Sequence, residues 1–290
     1  MHVVRTHWSR HGATIDGALV LLQGVRAFVV ETHGLVFDAR FLAPASGAEP
    51  MAHLFAVLEG WVEIEGHARV SAPAMLLADG GEFETRREGA LGFRFGGAPR
   101  KTIELSFEPR HLAVPCGLSH GVRPLPEALL GPSERFVEAT QRSAEASEAF
   151  AALLETLASE GLCALPVAPL DAGTRSLQRV LDALSSLYGG QRTGAHGDLV
   201  AELARVSLRQ LSRDMRDFTQ SAPIPGATMR ELFRVMRLRR AALLLSAAEL
   251  SVEDVAREVG YGSSDAMGRA FRDARLPSPS EMRRSLVESE

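Results

Sequence analysis

The chain has 290 residues, 46% of them hydrophobic and 23% charged, which excludes global disorder and leaves room for two domains with a helical connector. No apolar run reaches membrane length, since Ala18 to Val30 is interrupted by Gln23, Gly24 and Arg26. With no charged-then-apolar leader at the N-terminus, and with Cys116 and Cys163 lacking metal spacing or a disulfide framework, a cytoplasmic protein is expected.

The net charge of -4 conceals an asymmetry. Residues 1–173 carry 14 Arg plus Lys against 21 Asp plus Glu, a balance of -7, and residues 174–290 carry 18 against 15, a balance of +3. Lys101 is the single lysine, so the basic groups are almost all planar guanidinium forks suited to phosphate or guanine. A GC-rich genome accounts for much of the arginine excess; only the grouping of arginines on helix faces bears on function.

Residues 1–108 read as β. The strands expected are Ala27–Glu31, Gly34–Phe37, Leu54–Leu58, Trp61–Glu65, Ala74–Ala78 and Thr102–Phe107, with hairpin turns at Glu59-Gly60 and Glu65-Gly66 and a turn at Asp79-Gly80-Gly81. Such short strands predict a sandwich or small barrel. Residues 109–125 are irregular and proline-rich, and a helix is expected from Ser133 through Leu157, with Phe136, Ala139, Phe150, Leu153, Leu154 and Leu157 as its apolar stripe. Its opposite face carries Glu138, Arg142, Glu145 and Glu148; packing of this helix against its own sandwich is the plain expectation, and pairing with the same helix of a second chain the sharper one. Pro166 to Gly173 reads as a linker. From Thr174 the pattern is helical, broken at Gly189-Gly190, Ser221–Gly226, Gly260–Gly262 and Leu276–Pro279. The expected organisation is a sheet domain over 1–108, a helical connector over 109–173 and an all-α domain over 174–290, an α+β chain.

Two helix-turn-helix plans stand in the last third. In the later one Ser251 caps a short helix with Val252, Val255, Ala256 and Val259 inward, Gly260-Tyr261-Gly262 turns the chain, and Ser263 or Ser264 opens a second helix. Met267, Ala270 and Phe271 then face inward, leaving Ser264, Asp265, Gly268, Arg269 and Arg272 outside. In the earlier one Asp198–Ala204 is the short helix and Ser207 caps the next, where Leu208, Leu211, Met215 and Phe218 form the core stripe. Arg209, Arg213 and Arg216 form one outward column beside Gln210. Arginine can pair with guanine O6 and N7 and glutamine with adenine N6 and N7, while neighbouring arginines hold phosphates, so a second helix of this kind suits a DNA major groove. A solvated face whose arginines are offset by Asp214 or Asp217 is the alternative at this point. Met229–Ser246 reads as one joining helix of about 27 Å, which sets the two second helices near one DNA turn apart.

Residues from about 174 to 285 resemble the DNA-binding domain of the AraC/XylS regulators. The resemblance lies in Val235-Met-Arg-Leu-Arg-Arg-Ala-Ala-Leu-Leu-Leu, Ser251-Val-Glu-Asp-Val-Ala, Val259-Gly-Tyr-Gly-Ser-Ser-Asp-Ala-Met-Gly-Arg-Ala-Phe-Arg and the closing Leu276-Pro-Ser-Pro-Ser-Glu-Met-Arg283. It implies a sequence-specific transcription regulator rather than an enzyme, acting without a cofactor. Its implied partners are a double-stranded DNA operator, a second copy of the chain, a small-molecule effector and the transcription machinery, with no membrane. The chain departs from the pattern at Arg205, where a glycine is usual, in the loop Ser221–Thr228, and at Asp265 and Ala266. The acidic Asp265 repels phosphate, so the first unit is expected to carry more of the base reading.

Residues from about 20 to 108 resemble a cupin, through Gly47, His53, Glu59 and Gly66, with Phe55 in place of a second histidine and no second ligating motif. A metal needs about three converging ligands, so none is expected. His53, Phe55, Trp61 and Phe93 are the expected lining of an effector pocket, and are equally suited to a plain core. His2, His7 and His11 read as part of a dangling terminus. A metal-dependent cupin enzyme with a helical appendage, and a protein-interaction adaptor that has lost DNA binding, stay open as alternatives; metal analysis separates the first.

Overall fold

In this computed structural model the strands of the N-terminal half form one antiparallel sheet. The structure describes residues 2–10, 12–22, 25–38, 51–79, 93–142, 145–164, 179–180, 182–183, 197–221 and 228–287. The strands are β1 (His2–Arg10), β2 (Ala13–Leu22), β3 (Val25–His33), β4 (Phe37–Asp38), β5 (Ala52–Ile64), β6 (Val70–Ser71), β7 (Ala74–Asp79), β8 (Phe93–Phe107) and β9 (Arg123–Pro124). The order is β1-β2-β3-β8-β5-β7-β9, with β4 on β8 and β6 on β5. The expected turn at Asp79-Gly80-Gly81, Gly47 and the linker at Pro166 to Gly173 lie outside the described residues.

Both faces of the sheet are buried. On one face Val25, Ala27, Val29, Leu54, Ala56, Ile103, Leu105 and Phe107 pack against two helices, α1 (Glu127–Arg142) and α2 (Ala146–Ser159), through Leu129, Phe136, Phe150, Leu153 and Leu157. Each of the valine, leucine, isoleucine and phenylalanine side chains contributes about 1.5–3 kcal/mol by leaving water. On the opposite face Phe55, Val57, Phe93 and Phe95 form a second apolar group. The expected boundary at residue 108 is not where packing changes, because β9 joins the sheet and α1 and α2 share its core.

Three local expectations are corrected. Gly60 is no hairpin turn: it sits inside β5 at φ 93°, beside register shifts against β8, where a Cβ would come 2.3 Å from the Gly96 carbonyl oxygen. The chain instead reverses after Ile64, through Glu65 and Gly66 at φ 82°. The helix begins at Glu127, six residues before Ser133, which is buried inside it, and the stretch to Leu157 is two helices. The N-terminus does not dangle, since β1 pairs with β2 along its whole length and His7 Nδ1 lies 2.7 Å from Asp16 Oδ1.

Gly96 faces Trp61 across the β5–β8 ladder, and a Cβ there would stand 2.2 Å from Trp61 Cζ2. Gly96→Ala is therefore expected to lower stability by about 1–3 kcal/mol through overpacking, read as a drop in the urea midpoint at unchanged slope.

The helical half comprises α3 (Gly197–Leu203), α4 (Leu208–Ser221), α5 (Met229–Leu244), α6 (Val252–Glu258), α7 (Ser264–Asp273) and α8 (Pro279–Val287). Val200, Ala201, Leu211, Met215, Leu232 and Phe233 unite α3, α4 and the start of α5 into one lobe. Leu238, Leu244, Val255, Val259, Met267, Phe271, Met282 and Leu286 unite the end of α5 with α6, α7 and α8 into a second. The second lobe also takes in Trp8, Ala13, Ile15, Leu35 and Val36 from the sheet. Trp8 Nε1 donates to Glu258 Oε1 at 2.8 Å, Arg10 meets the other oxygen at 2.8 Å, and the Val36 amide donates to Ser246 Oγ at 2.9 Å. Leu19 packs against the first lobe.

Candidate nucleic-acid interface and effector pocket

The second helix of each helix-turn-helix unit, α4 and α7, is opened by a serine. Ser207 Oγ accepts from the Gln210 amide at 3.2 Å at the head of α4, and Ser263 Oγ accepts from the Ala266 amide at 3.1 Å at the head of α7. The short helix α6 starts at a capping box in which Ser251 and Asp254 satisfy each other's backbone amides. The linker helix α5 starts at another, Thr228 with Glu231. It ends at Leu244, two residues before the expected end, so it spans about 24 Å.

The first lobe places Arg209, Arg213 and Arg216 in one exposed column on α4. Asp214 does not offset this column. It is buried and accepts from Arg179 at 3.0 and 3.2 Å on the inner side. Gln210 bridges the two sides: its Nε2 donates to Asp214 Oδ1 at 2.6 Å and its Oε1 accepts from Arg213 Nη2 at 2.7 Å. The Gln210 amide is thereby oriented by the protein and has to exchange these partners to meet a base. Arg205, in the turn before α4, holds φ 53°, the left-handed geometry that favours glycine. Leu208, at the first position of α4, is 49% exposed, and Leu203 of α3 is also exposed. Leu208 thus does not take the core position assigned to it. The side chain of Phe218 and the loop 222–227 lie outside the described residues.

The second lobe brings all five of its expected residues together. Ser264, Asp265, Gly268, Arg269 and Arg272 line one groove of about 650 Å³, closed by Ser251, Val252 and Glu253 at the start of α6 and by Pro279 and Ser280 at the start of α8. A Cβ on Gly268 would meet nothing within 4 Å, so a backbone or base edge can approach closely there. The groove pairs two arginines with two acids, Glu253 and Asp265, which makes it the less cationic of the two surfaces. The N-termini of α6 and α8 carry serines and proline that the sequence shows only as caps, and their place in the groove follows from the packing of α8 on α7.

The residues expected to line an effector pocket are divided. Phe55 and Phe93 are buried edge to face, 5.4 Å between ring centres, and His53 stacks 6.0 Å from Phe55. Trp61 packs elsewhere, under Arg69 and against the second-lobe cluster. His53 belongs to a polar group that the sequence reading did not find. Its Nδ1 donates to Glu104 Oε1 at 3.1 Å; Ser106 Oγ donates to the same oxygen at 3.1 Å and accepts from Arg26 Nη2 at 2.8 Å. Arg26 also reaches Glu104 at 3.2 Å, and Arg239, from α5, stands 3.8 Å from it. Burial lowers the His53 pKa, so the ring is neutral. Glu59, the other cupin-motif residue, is taken up by Lys101 at 2.8 Å. Among the described residues no three His, Cys, Asp or Glu side chains stand together as a metal site.

Residues 200–285 match a helix-turn-helix domain family. No curated protein matches the chain. Among solved structures the chain is similar to ToxT from Vibrio cholerae, at 9% identity and a TM-score of 0.37, over 91% of this chain and 100% of that one. It is similar also to unsaturated fatty acid-bound ToxT from Vibrio cholerae strain SCE256, at 14% and 0.35, over 89% and 94%. The AraC-like transcriptional activator CuxR aligns at 12% and 0.34, over 79% and 81%. These likenesses are too distant to carry function to this chain.

Proposed function

We propose that this chain, which carries an AraC-type helix-turn-helix domain at its C-terminus, is a sequence-specific DNA-binding transcription regulator controlled through its sheet domain. The observation that carries the reading is the pair of serine-capped helices, α4 and α7, each presenting exposed arginines and each set in its own lobe on one linker helix. Arg209 and Arg213 read bases from the first lobe while Arg216, Arg269 and Arg272 hold phosphates. The sheet domain acts as a cupin-like sensor in the cytoplasm. Two copies pair through the outer face of α1, and the DNA-bound form contacts the transcription machinery. An effector acts by favouring one arrangement of the two halves over another. Their contact through Glu258 and Arg239 supports this coupling, because both side chains bond across from one half to the other. No chemistry on a substrate enters this reading.

The test is a titration of full-length protein on operator fragments recovered by genomic footprinting. Arg213→Ala is expected to weaken specific binding by about 1–3 kcal/mol and to relax selectivity in one half-site. Affinity should fall steeply between 50 and 200 mM salt, about a thousandfold or more, if six or more phosphates are neutralised. A flat salt response with unchanged Arg213→Ala affinity rejects the reading and favours the adaptor. Equal losses from scrambling either half-site would reject the greater share of base reading assigned to the first lobe.

A further inference from the structure

Successive residues of β3 and β8 alternate between the two faces of the sheet, so Arg26, Thr32, Arg100, Thr102, Glu104 and Ser106 share the face turned away from α1 and α2. At one end of this face the polar groups bond to one another, Arg26 and Ser106 closing on Glu104. At the other end they do not. Arg100 stands directly opposite Thr32, and Thr102 follows two residues along on the same side. Arg100 is 3% exposed, yet among the described residues it makes neither an ion pair nor a side-chain hydrogen bond. The buried hydroxyls of Thr32 and Thr102 are likewise without partners.

We infer that Arg100, Thr32 and Thr102 form the anion-holding end of a ligand site inside the sheet domain, taking a carboxylate or phosphate group of a small molecule. All three groups are donors left without an acceptor, and one is a cation at neutral pH. An uncharged or cationic ligand would leave the guanidinium uncompensated, whereas an oxyanion satisfies the cation and both hydroxyls together. The arginine stem is seated by Gly60, whose missing Cβ would lie 3.3 Å from Arg100 Cγ. Its guanidinium carbon lies 5.8 Å from the centre of the Phe37 ring, which stacks on Phe95, so an aromatic wall borders the charge. Burial pushes the Arg100 pKa down to about 9, a cost that a bound anion would relieve. This site gives the effector of the proposed regulator its chemical class and rests on that reading for what the ligand controls.

Thermal unfolding of the full-length protein with sodium benzoate, sodium decanoate or sodium phosphate, each against sodium chloride at equal ionic strength, tests the site. At about a hundredfold excess over Kd an occupied site should raise Tm by roughly 5–10 °C. A shift with a carboxylate alone identifies an organic acid, and one with phosphate alone identifies a phosphate ligand. Arg100→Met should abolish the shift, and Thr32→Val with Thr102→Val, which keeps the charge, should reduce it; the latter pair carries the test if Arg100→Met does not fold. No shift with any of the three anions, or a shift that persists undiminished in the variants, overturns the site. Operator affinity measured on the same samples keeps the two readings apart, since intact DNA binding without an anion response sinks the site alone.

Discussion

Glu104→Gln is expected to lower the unfolding free energy by roughly 3–5 kcal/mol, because it removes the buried carboxylate that Arg26 and Arg239 share. Glutamine keeps the shape and an acceptor oxygen, so the loss reports charge rather than packing. Burial alone would raise the Glu104 pKa, but Arg239, the His53 hydrogen bond and Arg26 outweigh it and hold the carboxyl well below the usual carboxylate range. A depressed carboxyl contributes stability that is complete above its unfolded value, about 4.3, and is lost as pH falls toward its folded value. His53 acts earlier in the same direction. Its folded pKa lies below the ordinary 6.5, so the unfolded chain takes up that proton first and stability declines as pH falls below about 6.5. Urea midpoints measured from about pH 8 to 2 should therefore fall on the acid side. His53→Gln should remove the upper part of the fall and Glu104→Gln the lower part; parallel curves for all three proteins would contradict this account.

Arg283→Met should cost about 2–4 kcal/mol, a large effect for a residue on the last helix. Its guanidinium donates to the carbonyls of Ala247, Ala248 and Leu250, the turn that carries the chain from α5 into α6. Methionine keeps the apolar stem and loses all three charge-assisted bonds. The helix that bears Arg283 is itself fixed by Ser278 and Glu281, which bond reciprocally at its start. The loss should appear as a lower Tm and as weaker binding to the half-site read by α7. Arg283→Lys should recover only part of it, since one ammonium cannot match the spread of a fork across three oxygens.

The helical half was legible in the sequence because its signals are local. Ser207, Ser251 and Ser263 announce helix starts within three residues of the amides they cap, and Gly260 at φ 80° marks the end of α6. The resemblance also pointed to Arg205 as a departure, and its left-handed backbone shows why glycine suits that turn. The α+β architecture and the outward arginine column of α4 followed from the same periodicity. The sheet half was less legible. Strands β1 and β2 were missed because His2–Arg10 mixes charged and apolar residues without clear alternation, and their burial depends on Glu258, some 250 positions away. Arg26, Glu104 and Ser106 alternate with apolar neighbours as a solvent-facing row would. Only a sheet buried on both faces turns that row into an internal charge group. Gln210 shows the converse limit. Its place beside the arginines was predicted, but its bond to Asp214 depends on Arg179, which lies far back in the chain.

The bond from Trp8 to Glu258 joins residues 250 positions apart in the chain. During synthesis the indole therefore emerges well before its acceptor, which follows 250 residues later. Until then Trp8, Ile15, Leu35 and Val36 have no surface to cover them. A nascent or C-terminally clipped chain thus exposes an apolar flank on an otherwise complete sheet, a natural mark for chaperones and proteases. Molecules lacking the helical half would on this basis be cleared rather than persist as half-proteins.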